Sequence, residues 1–153
     1  MKKIILAFIL AFSVFISACG NKGTEAPDLC SSENLPAEVI KVNNLMREFD
    51  DYSELASNTP QAQLTTVIPD LQRILRDAED QTVPACLETL KKLQLAHMNI
   101  VAQTLMAFLN SSDLNEVNAG IAQARDLHNQ YDVELARLLG VTVVPPATNP
   151  AAP

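Results

Sequence analysis

Met46, His97 and His128 are the residues of this chain best suited to hold a metal or a cofactor. Only two histidines occur in 153 residues. Each falls on the apolar stripe of a helical segment. Imidazole nitrogen is the commonest protein ligand for transition metals, and a thioether beside it favours soft ions, Cu(I) above all. At ~1.5 Å of rise per residue, all three side chains lie ~15–20 Å from the same end of a helical assembly. The same groups suit a plainer use. His97, His128, Tyr52, Tyr131, Gln94, Asn43 or Asn44, and Thr104 can satisfy one another's hydrogen bonds as a buried polar layer that fixes helix register. The polar layer, with no metal and no cofactor, is the expectation. A haem or copper site on Met46, His97 and His128 is the alternative.

Other constellations carry less. Di-iron chemistry in a helical bundle needs Glu-x-x-His on two helices, whereas this chain has Gln94-x-x-His97 and Arg125-x-x-His128. The acidic run "REFDDYSE", Arg47 to Glu54, spreads around a helix and reads as a solvated face. It lacks the glycine turn of a calcium loop. "RDAED", Arg76 to Asp80, reads as an exposed helix end. Ser31-Ser32 and Ser111-Ser112 have no base at helical spacing. No CxxC or CxxCH occurs, which removes a dithiol motif and covalent haem attachment. No catalytic residue is assigned, and the chain is expected not to be an enzyme.

Four helical segments must position these groups. The first, from about Pro36 to Ser57, repeats Val39, Val42, Met46, Phe49, Tyr52 and Ala56 at three- and four-residue spacing. "SNTP" stops it, and Thr59 with Pro60 is expected to cap the second. That segment runs to about Asp80 with Leu64, Ile68, Leu71, Leu75 and Ala78, and Pro69 should kink or break it. The third spans Pro84 to Asn110, with Leu87, Leu90, Leu93, His97, Ile100 or Val101, Thr104 and Phe108 on one face. The fourth opens at Asp113, paired with Glu116 in a capping-box pattern. It carries Leu114, Val117, Ile121, Ala124, His128, Tyr131, Leu135 and Leu138, and stops at Gly140.

Amphipathic helices with short connections favour antiparallel neighbours. The expected fold is therefore all-α, an up-down-up-down four-helix bundle with a kinked second helix. Cys30 precedes the first helix and Cys86 opens the third, so this topology brings both to one end. A disulfide between them would staple the bundle and contribute ~4 kcal/mol in the chain-entropy model.

The N-terminus supplies an address. Lys2 and Lys3 precede the uncharged run "IILAFILAFSVFI", Ile4 to Ile16. Such a run fits a signal peptide and falls short of the ~20 apolar residues of a membrane span. It ends Ile16-Ser17-Ala18-Cys19, which resembles the lipobox of bacterial lipoproteins. The resemblance implies cleavage before Cys19 and acylation of that cysteine, palmitate among the chains, with membrane attachment through the lipid. Gly20, rather than aspartate, implies the outer membrane where the host has one. Export also implies an oxidising compartment, in which Cys30 and Cys86 would pair. The arrangement of Met46 and His128 on the first and last helices is loosely similar to four-helix b-type cytochromes, and that similarity would make them the axial ligands of a haem.

The organisation expected is thus a signal peptide over 1–18, a lipidated tether over 19–33, a bundle over 34–140 and a disordered Pro/Ala-rich tail over 141–153. Without the leader about 135 residues remain, enough for a single core. Net charge is −7, and loss of Lys2 and Lys3 leaves the rest more acidic, which excludes nucleic acid as a partner. The chain has no Trp, and only Phe49 and Phe108 lie beyond the leader, so stacking surface is scarce. The function expected is a non-enzymatic binding or scaffold module at the cell envelope, facing away from the cytoplasm, with a protein partner the sequence does not identify.

Overall fold

The computed structural model describes residues 27–110 and 113–141. The leader, Cys19, the first part of the tether, residues 111–112 and the tail from 142 onward lie outside the described residues. Among the described residues every regular element is helical and none is a strand. Four α-helices, α1 (Leu35–Ser57), α2 (Ile68–Asp80), α3 (Glu88–Leu109) and α4 (Leu114–Leu138), are joined with two 3₁₀ helices, Gln61–Thr66 and Ala85–Leu87. The arrangement is bundle-like.

Helix ends show why the elements begin and stop where they do. The last carbonyls of a helix have no partner within it. At the end of α1, Ser57 Oγ and Asn58 Nδ2 donate to the Glu54 carbonyl, and Thr59 Oγ1 donates to that of Leu55. Thr59 therefore closes α1 instead of capping the next segment, where Pro60 precedes the 3₁₀ helix without a side-chain cap. The second segment is not one helix over Pro60–Asp80. It divides at Val67, and Pro69 sits in the first turn of α2, where its missing N–H removes no helical bond. At the start of α4, Asp113 Oδ1 accepts from the Asn115 amide at 3.0 Å. The side-chain Nδ2 of Asn115 also donates to it, at 3.1 Å. Asn115, not Glu116, is thus the residue tied to the cap. At the other end Gly140 adopts φ 68°. Its N–H reaches the Arg137 carbonyl at 3.2 Å and that of Val141 reaches Ala136 at 2.8 Å, the paired bonds of a Schellman stop.

The core follows the apolar periodicity. Val39, Val42, Met46, Phe49 and Ala56 of α1 are buried, as are Ile68, Leu71, Ile74 and Ala78 of α2. In α3 the buried face carries Leu90, Gln94, His97, Met98 and Val101. Helix α4 buries only Val117, Ala124 and Tyr131. Leu114 and Ile121 lie on its expected apolar stripe but are 67% and 40% exposed. The stripe of α4 is only partly covered.

Specific ties join the helices. Gln94 Nε2 donates to the Val42 carbonyl at 2.9 Å, α3 to α1. Tyr131 Oη donates to Asn43 Oδ1 at 3.1 Å, α4 to α1. Lys91 Nζ, from α3, donates to the carbonyls of Glu79 and Gln81, placing a positive charge at the C-terminus of α2. Gln61 Nε2 donates to the Phe108 carbonyl at 2.6 Å, tying the first 3₁₀ helix to the end of α3. Arg73 joins α2 to Glu48 of α1 at 2.8 Å, but both side chains are over 40% exposed, so water screens most of the attraction.

Residues 28–34 form turns held by Asp28, whose Oδ1 accepts from the Cys30 amide and whose carbonyl accepts from Asn34 Nδ2. The Sγ atoms of Cys30 and Cys86 lie 2.12 Å apart, a disulfide distance, across a sequence separation of 56. The loop length sets the expected effect of cutting this link. Reduction, or the double substitution Cys30→Ala and Cys86→Ala, should lower unfolding free energy by ~3–4 kcal/mol. Denaturant titrations with and without reductant measure it, and coincident midpoints would contradict it.

Candidate functional site

Three helices each bring one polar group to a single point. Asp50 lies on α1, one turn beyond Met46. His97 lies on α3 and His128 on α4. Asp50 Oδ1 is 3.6 Å from His97 Nε2 and 3.8 Å from His128 Nδ1. One ligating atom from each of the three lies within 4.8 Å of the others. The imidazole rings meet edge to face with centroids 5.0 Å apart. Phe49 packs edge-on against His97 at 6.1 Å. His97 is buried, while Asp50 and His128 are each about one-third exposed.

The neighbours decide which nitrogen carries each proton. His97 Nδ1 lies 2.9 Å from the Ala124 carbonyl. A carbonyl oxygen only accepts, so Nδ1 carries hydrogen and donates. In neutral His97 the lone pair is then on Nε2, which faces Asp50. The Ala124 carbonyl can serve two donors, since it has two lone pairs. Its helical partner four residues on is the amide of His128, so one oxygen touches both histidine positions. His128 turns Nε2 to Asp132 Oδ2 at 3.5 Å and Nδ1 to Asp50 Oδ1 at 3.8 Å, neither of them at hydrogen-bond length. Three potential ligating atoms, His97 Nε2, His128 Nδ1 and Asp50 Oδ1, therefore converge.

This pattern suits a cation better than acid–base catalysis. A nucleophilic relay needs an imidazole nitrogen turned towards a hydroxyl or thiol. Here both nitrogens of each ring face a carbonyl or carboxylate oxygen.

Beside the trio lies a cavity of about 850 Å³. It is bounded by the end of α1, the first 3₁₀ helix, α3 and α4. Leu64, Val101, Leu105, Phe108, Val117 and Ile121 give it a mostly apolar lining, and His97, His128, Arg125 and Asn129 also line it. Ligand pockets commonly occupy ~300–1,000 Å³ with a few polar groups in an apolar wall.

The cavity exists beside an unusually close contact of α3 and α4. A Cβ built on Gly120 would lie 2.1 Å from Thr104 Oγ1 and 3.1 Å from both Thr104 Cβ and Cγ2. Rotating Thr104 cannot clear all three, because Cβ does not move with χ1.

The residues expected to form one polar layer are spread among separate partners. Tyr131 pairs with Asn43, Gln94 with the Val42 carbonyl, and His97 with the Ala124 carbonyl. Gln94 Oε1 is buried without a protein partner, and Thr104 packs on Gly120. Met46 is buried within the apolar core. Sequence reading assigned Asp50 to a solvated acidic face, and the structure instead turns it to the histidines. The available signal was its spacing: Asp50 is four residues after Met46, on the same side of α1.

Burial raises the Tyr131 phenol well above its ordinary pKa of 10.0, and the Asp50 and Asp132 carboxylates push it further. Compared with protein-family models, with curated proteins and with solved structures, the chain matches none.

Two expectations follow from this geometry. Gly120→Ala should destabilise the protein by about 1–3 kcal/mol through overpacking, despite alanine's better helix propensity. Thr104→Ala in the same chain should recover part of the loss. Chemical denaturation of the single and double variants checks this, and a stabilised Gly120→Ala would contradict it. For Tyr131, the folded state favours the neutral phenol. Its contribution is complete below the unfolded pKa near 10 and is lost as pH rises from there towards the raised folded value. Alkaline unfolding curves should thus steepen above pH ~10 in the parent, and Tyr131→Phe should remove that component. Superimposable curves would reject it.

Proposed function

We propose that this chain is an exported, lipid-anchored, non-enzymatic binding module whose ligand chamber is the cavity between α1, the first 3₁₀ helix, α3 and α4. The observation that carries the reading is the chamber: about 850 Å³, mostly apolar, with two histidines and Arg125 in its wall. Such a lining suits an amphipathic small molecule. Its apolar body would displace water from Val101, Leu105, Phe108 and Ile121, at roughly 25 cal/mol per Å² of surface buried. A polar or acidic head would meet the histidine and Arg125 side.

The proposed organisation is a leader over 1–18, a tether over 19–33 acylated at Cys19, an up-down-up-down bundle over 34–140 bent near Pro69, and a tail over 141–153. Several contacts support the helix directions. Between α3 and α4, His97 meets Ala124 and Thr104 meets Gly120, a register that runs in opposite senses. Between α1 and α3, Val42 meets Gln94 and Phe49 meets His97, a register that runs in the same sense. Attachment rests on the lipobox-like Ile16-Ser17-Ala18-Cys19. No helix of the described residues is long and apolar enough to cross a membrane. Two or more acyl chains suffice for stable attachment. An outer-membrane position, where the host has that membrane, follows from Gly20 after the lipobox, and the absence of nucleic-acid partners follows from the acidic charge.

The chamber is tested with the full chain and a solvatochromic apolar dye, displaced by a long-chain fatty acid. Dye fluorescence should rise on binding and fall as the fatty acid competes. Ile121→Trp, at a partly exposed position of the lining, should weaken dye binding about tenfold, a loss of ~1.4 kcal/mol. Dye binding unaffected by Ile121→Trp would remove the chamber as the site. Mass spectrometry of the N-terminal peptide tests the address: an unmodified Cys19 still joined to residues 1–18 would overturn it.

A further inference from the structure

We infer that Asp50, His97 and His128 bind a divalent transition-metal ion of borderline softness, with Zn²⁺ the reference case. The ligating atoms are Asp50 Oδ1, His97 Nε2 and His128 Nδ1. This goes beyond the chamber reading and does not rest on it.

The first reason is the geometry of the trio. His97 has its donor side committed, Nδ1 to the Ala124 carbonyl at 2.9 Å, which turns the lone pair of Nε2 to Asp50. His128 Nε2 lies 3.5 Å from Asp132 Oδ2 and its Nδ1 3.8 Å from Asp50 Oδ1. A cation between the three residues would satisfy the carboxylate and both rings at once. A proton is a poor match, because charge-assisted N–H···O bonds close to ~2.7–2.9 Å while these separations are 3.6 and 3.8 Å. A metal fits better. Bonds of ~2.1 Å to imidazole and carboxylate in a tetrahedron place the ligand atoms ~3.4 Å apart. Two of the three edges are already within half an ångström of that, and the third is no longer than 4.8 Å.

The second reason lies behind the ligands. Metal-bound histidines generally donate their other ring nitrogen to a carbonyl or carboxylate, which fixes the tautomer and raises basicity. His97 has the carbonyl of Ala124 at hydrogen-bond length, and the Asp132 carboxylate stands 3.5 Å from His128 Nε2, on the side away from Asp50. The donors also choose the ion. Asp50, not the thioether of Met46, is the third group, so the site favours Zn²⁺ and similar divalent ions over Cu(I). Two histidines and one carboxylate leave at least one coordination position open. His97 and His128 also line the chamber, so an anionic head group there is the natural fourth ligand.

The test uses the full chain in a Cys19→Ser background, which removes the one cysteine outside the disulfide. Protein stripped with chelator is titrated with Zn²⁺ alone by calorimetry, and with Co²⁺ alone by visible absorption, whose ligand-field bands report coordination number. One ion per chain is expected, with Co²⁺ bands of a four- or five-coordinate site. Asp132→Asn should weaken binding about tenfold, and Asp50→Asn and His128→Gln by more. Both of these ligand positions are partly exposed, and circular dichroism confirms their folding. Met46→Leu, which conserves core volume, should leave affinity unchanged. The inference is overturned if the parent binds no ion, if Asp50→Asn and His128→Gln bind as the parent does, or if Met46→Leu abolishes binding. Dye binding in metal-free protein reads the chamber separately, so failure of one proposal is distinguishable from failure of the other.

Discussion

Helices α3 and α4 come together as closely as they do because position 120 has no side chain. Thr104 occupies the space a Cβ would take. Most of what is distinctive in the molecule depends on this approach. It brings His97 Nδ1 within 2.9 Å of a mid-helix carbonyl on α4, a contact that splayed helices could not make. The bond sets the tautomer and direction of the His97 ring, and His128, one turn from Ala124, meets that ring edge to face. Helix α1 then closes the group with Asp50.

The resulting site is electrostatically lopsided. Buried polar groups are ordinarily paired donor to acceptor, and leaving acceptors opposed in a region of low dielectric is costly. Elsewhere in the interior, Tyr131 gives its proton to Asn43 and Gln94 Nε2 donates to the Val42 carbonyl. Against that background the meeting of two imidazoles and a carboxylate at 3.6 and 3.8 Å, without a hydrogen bond among them, stands out as an arrangement that a bound cation would complete. The apolar chamber beside it adds a hydrophobic wall to a polar anchor point, the usual composition of a small-molecule site.

Fastening and opening occupy different parts of the chain. Cys30 and Cys86 join the regions just before α1 and α3, and Lys91 holds the end of α2 nearby. The chamber is lined instead by the C-terminal parts of α1 and α3 and by the 3₁₀ helix between α1 and α2. A 3₁₀ helix has poorer hydrogen-bond geometry than an α-helix, and this one is tied to α3 by Gln61 at the Phe108 carbonyl. Covalent restraint thus falls before α1 and α3, away from the residues that line the chamber.

Much of the helical framework was legible in the residue order, because a 3.6-residue apolar period and its punctuation are local properties. The stripes of α1 and α2, the stop at Gly140, the interruption before Pro69 and the pairing partners Cys30 and Cys86 all belong to that class. Thr59 shows the limit even there: whether a hydroxyl closes the helix behind it or opens the one ahead depends on backbone geometry the letters do not record. The site was half legible. His97 and His128 stood out as polar residues on apolar faces, but Met46 was the neighbour suggested by depth along the helix. Asp50 was hidden in an acidic run whose members look alike in sequence. Which carboxylate turns inward is decided by the rotation of α1 against α3 and α4, and that rotation follows from packing across long sequence separations. The chamber, likewise, is a space between elements, which no single segment encodes. Sequence alone determined that the chain is helical, the approximate spans of its segments and the two histidines; only tertiary packing decided that Asp50 joins them, because contact between distant residues is a property of how faces meet.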